Sequence, residues 1–185
     1  MGKRFTIPGM SEEEGRKAAE ILQGRLSALI DMQLTLKHIH WNVVGPTFIG
    51  VHEMLDPQYA GVSTMVDDTA ERIAALGYEP IGTPAFVSKN RDSDDYSLHR
   101  AGVMEHLGAL DMVYARLISD NRQAIKDLDE IDLVSQDLVI GQNEQLEKYH
   151  WFVRAHLEDD AGYLSTGGAR TLREAADAAE AGATR

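Results

Sequence analysis

The chain has no cysteine, only five prolines in 185 residues, and aromatics at just 6%. Without thiols there is no disulfide scaffold, no zinc ribbon and no thiolate nucleophile, so any metal is held by His, Asp and Glu. Scarce proline and aromatics, beside 43% hydrophobic and 26% charged residues, fit a globular chain richer in helix than in sheet. The apolar runs fall far short of the ~20 residues that span a bilayer. The opening Met1-Gly2-Lys3-Arg4-Phe5-Thr6-Ile7-Pro8 has no apolar stretch followed by a small-residue cleavage site. The expectation is a cytoplasmic protein with no membrane association. Basic residues are also outnumbered, 18 Lys and Arg against 30 Asp and Glu, for a net charge of −12. Such a surface repels polyanions on average and attracts cations.

The length suits one domain with a sizeable core. Ser11 with Glu14 reads as a capping box that opens a long helix, along which Leu22, Leu26, Leu29, Gln33, Leu36 and His40 fall at helical spacing. Gly45-Pro46 stops it, because proline lacks the amide hydrogen and restricts the residue before it. A second helix is expected from Phe48 or Ile49 to Leu76, with Gly77 as its cap, Pro80 beyond, and a kink at Asp56-Pro57. Residues 78–92 read as a long loop, followed by a short helical turn near Asp94-Asp95-Tyr96. Further helices are expected over Ser97 to Leu128 and Asp132 to Leu164. The fold class is all-α: a ferritin-like four-helix bundle with a short extra helix in the long connection between the second and third helices. Residues 1–10 form an N-terminal arm, 11–164 the bundle, and 165–185 a mobile tail whose Ala-rich part is marginally helical.

His40 and His52 stand on either side of the Gly45-Pro46 turn, a hairpin able to bring two imidazoles to one cation. Asp56 follows His52 by one helical turn, and Glu71 follows Asp67 by one, so each pair shares a face. Imidazole with carboxylate suits iron and related first-row metals, and is too poor in oxygen for calcium. At ~1.5 Å rise per residue, Asp56 and Asp67 stand ~16 Å apart, and His52 and Asp67 ~22 Å apart. One chain cannot close such a site. If both pairs serve one metal centre, a second copy of the helix lies antiparallel, which makes two equivalent sites at a two-fold interface.

Three blocks carry a specific resemblance: Leu36-Lys37-His38-Ile39-His40-Trp41-Asn42-Val43-Val44-Gly45, then Phe48-Ile49-Gly50-Val51-His52-Glu53-Met54-Leu55-Asp56, then Asp67-Asp68-Thr69-Ala70-Glu71-Arg72. With Lys148-Tyr149-His150-Trp151-Phe152, over roughly residues 10 to 160, the chain resembles the Dps family of starvation-induced mini-ferritins. The resemblance implies a homo-dodecameric shell with ferroxidase centres at its dimer interfaces. There Fe(II) is oxidised to Fe(III), by hydrogen peroxide in preference to oxygen, and stored as a ferric mineral, which protects against oxidative stress. Trp41, adjacent to a ligand, would be a sink for stray oxidising equivalents.

Plainer readings stand beside these. A lone histidine on an apolar stripe is more often a hydrogen-bonded core residue, and His38, His99, His106, His150 and His156 are read as structural or surface residues. Glu147-x-x-His150 matches half of a larger ferritin's metal motif, but no second copy exists on another helix. His52-Glu53-Met54-Leu55-Asp56 is one residue from the zinc-protease pattern, so a metal-dependent hydrolase is a further alternative, without a downstream ligand to support it. Asp127 and Asp132 belong to an acidic corner that is either ordinary solvated surface or, repeated about a three-fold axis, a pore that draws ferrous iron inward.

Many Dps proteins coat DNA through basic tails, and a nucleoid DNA-binding protein with secondary iron storage is the other alternative. This chain departs from that pattern. Its N-terminus offers only Lys3 and Arg4, and its tail sets Arg170, Arg173 and Arg185 against Glu174, Asp177 and Glu180. DNA binding is expected to be weak or absent, since phosphate neutralisation supplies non-specific affinity. A gel shift at low and moderate salt is expected to show no firm retardation at moderate salt; saturable retardation there would contradict the reading.

Overall fold

The computed structural model describes residues 7–91 and 95–183. Helix α1 spans Glu12–Asn42, strand β1 Val43–Val44, α2 Phe48–Ala75, α3 Pro84–Asn90, β2 Ala101–Gly102, α4 Val103–Leu128, α5 Leu133–Ala155 and α6 Leu172–Ala183. The capping box forms as its residues dictate: Ser11 N–H donates to Glu14 Oε2 at 2.7 Å and Glu14 N–H to Ser11 Oγ at 3.2 Å. Helix α2 passes through Pro57 as one element. The extra helix of the long connection is α3, earlier than the sequence suggests: Pro84 supplies a preset φ at its first position, whereas Asp95 and Tyr96 are not helical and Asp94 lies outside the described residues. The third helix starts at Val103 and the fourth ends at Ala155. Both are shorter than the sequence periodicity indicates, because β2 and a bend replace their expected ends.

Packing divides the chain into two compact units. One runs to Gln33, resumes at Gly61, and includes Ser119–Glu144. Its core gathers Ala18, Leu22 and Leu26 of α1, Ile73 and Leu76, Ala124 and Leu128 of α4, and Val139 of α5. Each full burial of such a leucine contributes about 1.5–3 kcal/mol. Two buried polar side chains are tied together there: Thr69 donates to the Met65 carbonyl at 2.7 Å, and Gln142 to Thr69 at 2.9 Å.

The second unit comprises Leu34–Ala60, the segment ending at Ile118, and Gln145 onward. Here β1 pairs in parallel with β2, Val43 against Ala101 and Val44 against Gly102. Buried Tyr114 donates to Gln58 Oε1 at 2.6 Å. His150, read as structural in the sequence, faces Asp111 Oδ1 at 2.6 Å, while Thr166 donates to Asp111 Oδ2 at 2.7 Å. The tail departs from the composition-based picture, because its Ala-rich part is helix α6 with Ala175, Ala176 and Ala179 fully buried. Thr171 Oγ accepts from Glu174 N–H at 3.1 Å, an N-terminal cap. Small side chains build this contact: a Cβ at Gly108 would lie 2.4 Å from the Ala175 carbonyl and 2.7 Å from Ala179 Cβ.

Gly108→Val is therefore expected to lose about 1–3 kcal/mol through overpacking. Amide exchange is expected to show α6 losing protection before the long helices do; unchanged α6 protection would contradict this close packing.

Candidate metal centre

The C-terminal turn of α1 leaves its last carbonyls without helical partners. Gly45, with φ +118°, takes a left-handed conformation that other residues adopt only under strain, and Phe48 N–H donates back to its carbonyl at 3.2 Å. The chain thus reverses tightly, bringing His40 and His52 face to face. His40 Nδ1 lies 3.0 Å from the His52 carbonyl and His52 Nδ1 lies 2.9 Å from the His40 carbonyl. Their rings stack at 3.6 Å between centroids with 23° between planes. A carbonyl only accepts, so each Nδ1 carries its hydrogen and donates. In the neutral form of such a ring Nε2 is the lone-pair nitrogen, and a metal-bound histidine has this arrangement when its other nitrogen is anchored.

Asp56 lies beside this pair, with Oδ1 3.5 Å from His40 Nδ1. The same oxygen accepts from Lys37 Nζ at 2.8 Å, and that ammonium sits 4.7 Å from the Tyr59 ring centroid. The Lys37 hydrogen bond foremost, against the opposing effect of burial, holds the Asp56 carboxyl below its ordinary value. Lys37 was not singled out in the sequence, although its place three residues before His40 puts it on the same side of α1.

Asp67 and Glu71 are exposed on α2. Among the described residues, no three His, Asp or Glu side chains are grouped closely enough to hold a metal. His40, His52 and Asp56 are brought together, and Asp67 and Glu71 do not complete their set. Trp41 is 73% exposed, as is much of Leu34, Phe48 and Ile49 on the same hairpin and its approach. Exposed large apolar side chains of this kind are what another protein surface covers.

The acidic corner separates in the structure. Asp127 is exposed and accepts from Gln123 at 2.8 Å. Asp132 is buried and occupied: it accepts from Arg72 Nη2 at 2.6 Å, from the backbone N–H of Val134 and Ser135, and from the Ser135 hydroxyl. A carboxylate at this helix N-terminus neutralises otherwise unpaired N–H groups, so Asp132 is a cap and ion-pair partner.

A ferritin-like domain matches residues 19–162. The chain is 54% identical over 175 residues to the DNA protection during starvation protein of Mycolicibacterium smegmatis, covering 95% of this chain and 96% of that relative. A solved structure of Mycobacterium smegmatis Dps superposes with a TM-score of 0.90 at 53% identity, covering 92% of this chain and 97% of that one. The structure of DpsA14 from Streptomyces coelicolor does so with a TM-score of 0.85 at 51% identity, over 86% and 95%. The fold is thus that of the ferritin-like proteins. Within that class, the chain belongs to the Dps family.

Burial raises the Asp132 pKa, but the hydrogen bonds from Ser135 and Arg72 outweigh it, and the net shift is downward. A depressed folded pKa means that the stabilisation is full at neutral pH and disappears as pH falls through that value. Asp132→Asn is expected to lose about 1–3 kcal/mol at neutral pH, with the deficit shrinking in acid below the ordinary aspartate range. Urea unfolding of both proteins across that range checks this; a deficit independent of pH would contradict it.

Proposed function

We propose that this protein is a ferroxidase and iron-storage subunit that oxidises Fe(II) to Fe(III), with hydrogen peroxide or oxygen, at sites shared between two subunits. The observation that carries this reading is the reciprocal Nδ1-to-carbonyl anchoring of His40 and His52, which leaves Nε2 of each ring outside that contact, with the Asp56 carboxylate 3.5 Å from His40 Nδ1. Helical rise keeps the Asp67 and Glu71 of the same α2 ~16 Å or more from Asp56, so these two ligands come from a two-fold partner. The exposed Leu34, Trp41, Phe48 and Ile49 are the surface that such a partner would cover.

Iron is the substrate. Imidazole nitrogens hold it in the ferrous state, and the carboxylates of Asp56, Asp67 and Glu71 favour the more highly charged ferric product. Two Fe(II) held together supply both electrons needed to cleave the peroxide O–O bond, so no hydroxyl radical is released. The ferric product is stored as mineral in a dodecameric cage in the cytoplasm. For the pore, exposed Asp127 is the surviving candidate, since Asp132 is paired with Arg72. DNA binding remains weak or absent in this reading: Arg173 of α6 is paired with Asp177 at 3.1 Å, and Lys3, Arg4 and Arg185 lie outside the described residues.

With peroxide and Fe(II), the protein is expected to develop ferric absorbance. The His52→Ala, Asp67→Ala double variant, checked for folding by circular dichroism, is expected to lose it almost wholly. Retained oxidation in that variant would overturn the site.

A further inference from the structure

In the same unit as the His40–His52 pair, one buried polar cluster has chemistry that packing does not explain. The Tyr96 hydroxyl and His106 Nδ1 are 2.9 Å apart, with ring planes only 6° from parallel. His106 is fully buried, and its Nε2 has no hydrogen-bond partner. A purely structural histidine here would leave a desolvated N–H unsatisfied, which is unfavourable. Burial foremost, aided by His38, lowers the His106 pKa, although the backbone of Asn42 and His99 and the Glu105 carboxylate favour a charged ring. The ring is therefore neutral. The buried Tyr96 hydroxyl has His106 Nδ1 as its partner, so the O–H donates and Nδ1 accepts. Burial also pushes the Tyr96 phenol far above its ordinary value, so it stays protonated.

A neutral phenol is hard to oxidise unless its proton leaves with the electron. Here a vacant imidazole nitrogen already holds that hydrogen bond, and the nearby backbone and Glu105 would stabilise the imidazolium formed. The pair also touches the helix that carries His40. The Tyr96 ring meets His38 edge-on, with centroids 5.7 Å apart, and His38 precedes His40 by two residues on α1. His38 Nε2–H donates to the Leu98 carbonyl at 2.7 Å, and the β1–β2 pairing fastens residues 101–102 to the end of α1.

We propose that Tyr96 and His106 form a proton-coupled redox pair that quenches the one-electron oxidant made when a lone Fe(II) meets peroxide at the neighbouring site. The inference rests on the ferroxidase reading for the source of that oxidant. One Fe(II) reduces hydrogen peroxide to hydroxide and a hydroxyl radical. Tyr96 then gives one electron, which converts the radical to hydroxide, and its proton passes to His106 Nδ1, leaving a neutral phenoxyl radical beside an imidazolium. A second Fe(II) returns the electron and His106 returns the proton. The sum is two Fe(II) oxidised and one peroxide reduced to two hydroxides, with the pair restored. Trp41 lies nearer in sequence, but it is exposed, and among the described residues no base is placed at its indole nitrogen.

The test uses the full-length protein and its Tyr96→Phe and His106→Gln variants, given a small excess of peroxide over limiting Fe(II), then frozen and read by electron paramagnetic resonance. The wild type is expected to show a tyrosyl signal that Tyr96→Phe lacks. His106→Gln keeps an acceptor but not a base, and its signal is expected to fall by about tenfold or more, while bulk iron oxidation stays unchanged in both variants. A tyrosyl signal that persists in Tyr96→Phe, or is undiminished in His106→Gln, overturns the proposal, as does its absence from a wild type that oxidises iron normally. A parallel arm without iron uses a photochemical one-electron oxidant. A tyrosyl component lost in Tyr96→Phe supports the pair even if iron is never oxidised, which would count against the ferroxidase reading alone; no such component in that arm overturns the pair.

Discussion

The reciprocal hydrogen bonds between His40 and His52 are the constraint on which the functional half of the molecule depends. They act at two levels at once. The His40 carbonyl belongs to the last turn of α1, where helical partners run out, and the His52 ring supplies the missing donor. In the same contact each imidazole is held in one tautomer and one orientation, the precondition for binding a first-row metal without reorganisation. Gly45 makes the reversal possible, and Asp56 enters the group because one helical turn separates it from His52. A local structural requirement at the end of a helix and a chemical requirement for free Nε2 lone pairs are met by the same two side chains.

Much of this was legible in the sequence, for reasons that can be given residue by residue. Ser11 and Glu14 cap α1 as their types and spacing require, and Gly45-Pro46 reverses the chain between two histidines. Tertiary context decided the rest. No periodicity announces that Asp132 turns inward to Arg72, because an acidic corner looks the same whether its carboxylates are solvated or paired. The tail seemed too poor in large apolar residues to dock, yet alanines spaced three and four apart suffice where Gly108 removes the opposing side chain. Thr171 with Glu174 was a cap signal available in the sequence and overlooked. Lys37 and Tyr96 were likewise hidden, since their importance lies in what they touch across the chain.

The exposed surfaces fit the same account. Leu34, Trp41, Phe48 and Ile49 are exposed at the end of α1 and the start of α2, while Arg173 of α6 is paired with Asp177. A chain with this balance is suited to binding copies of itself and metal cations, more than to neutralising a phosphate backbone.

The central claim is that each metal centre takes His40, His52 and Asp56 from one subunit and Asp67 and Glu71 from its partner. Subunit complementation tests this most directly, by co-assembling the His52→Ala and Asp67→Ala single variants. Each variant alone carries a defect in every shared site and is expected to be inactive in peroxide-dependent iron oxidation. In a mixed dimer one site carries both defects and the other carries neither, so random pairing is expected to restore about a quarter of the wild-type sites. Recovery near that fraction would support a centre divided between two chains; no recovery in an assembly shown to contain both variants would contradict it.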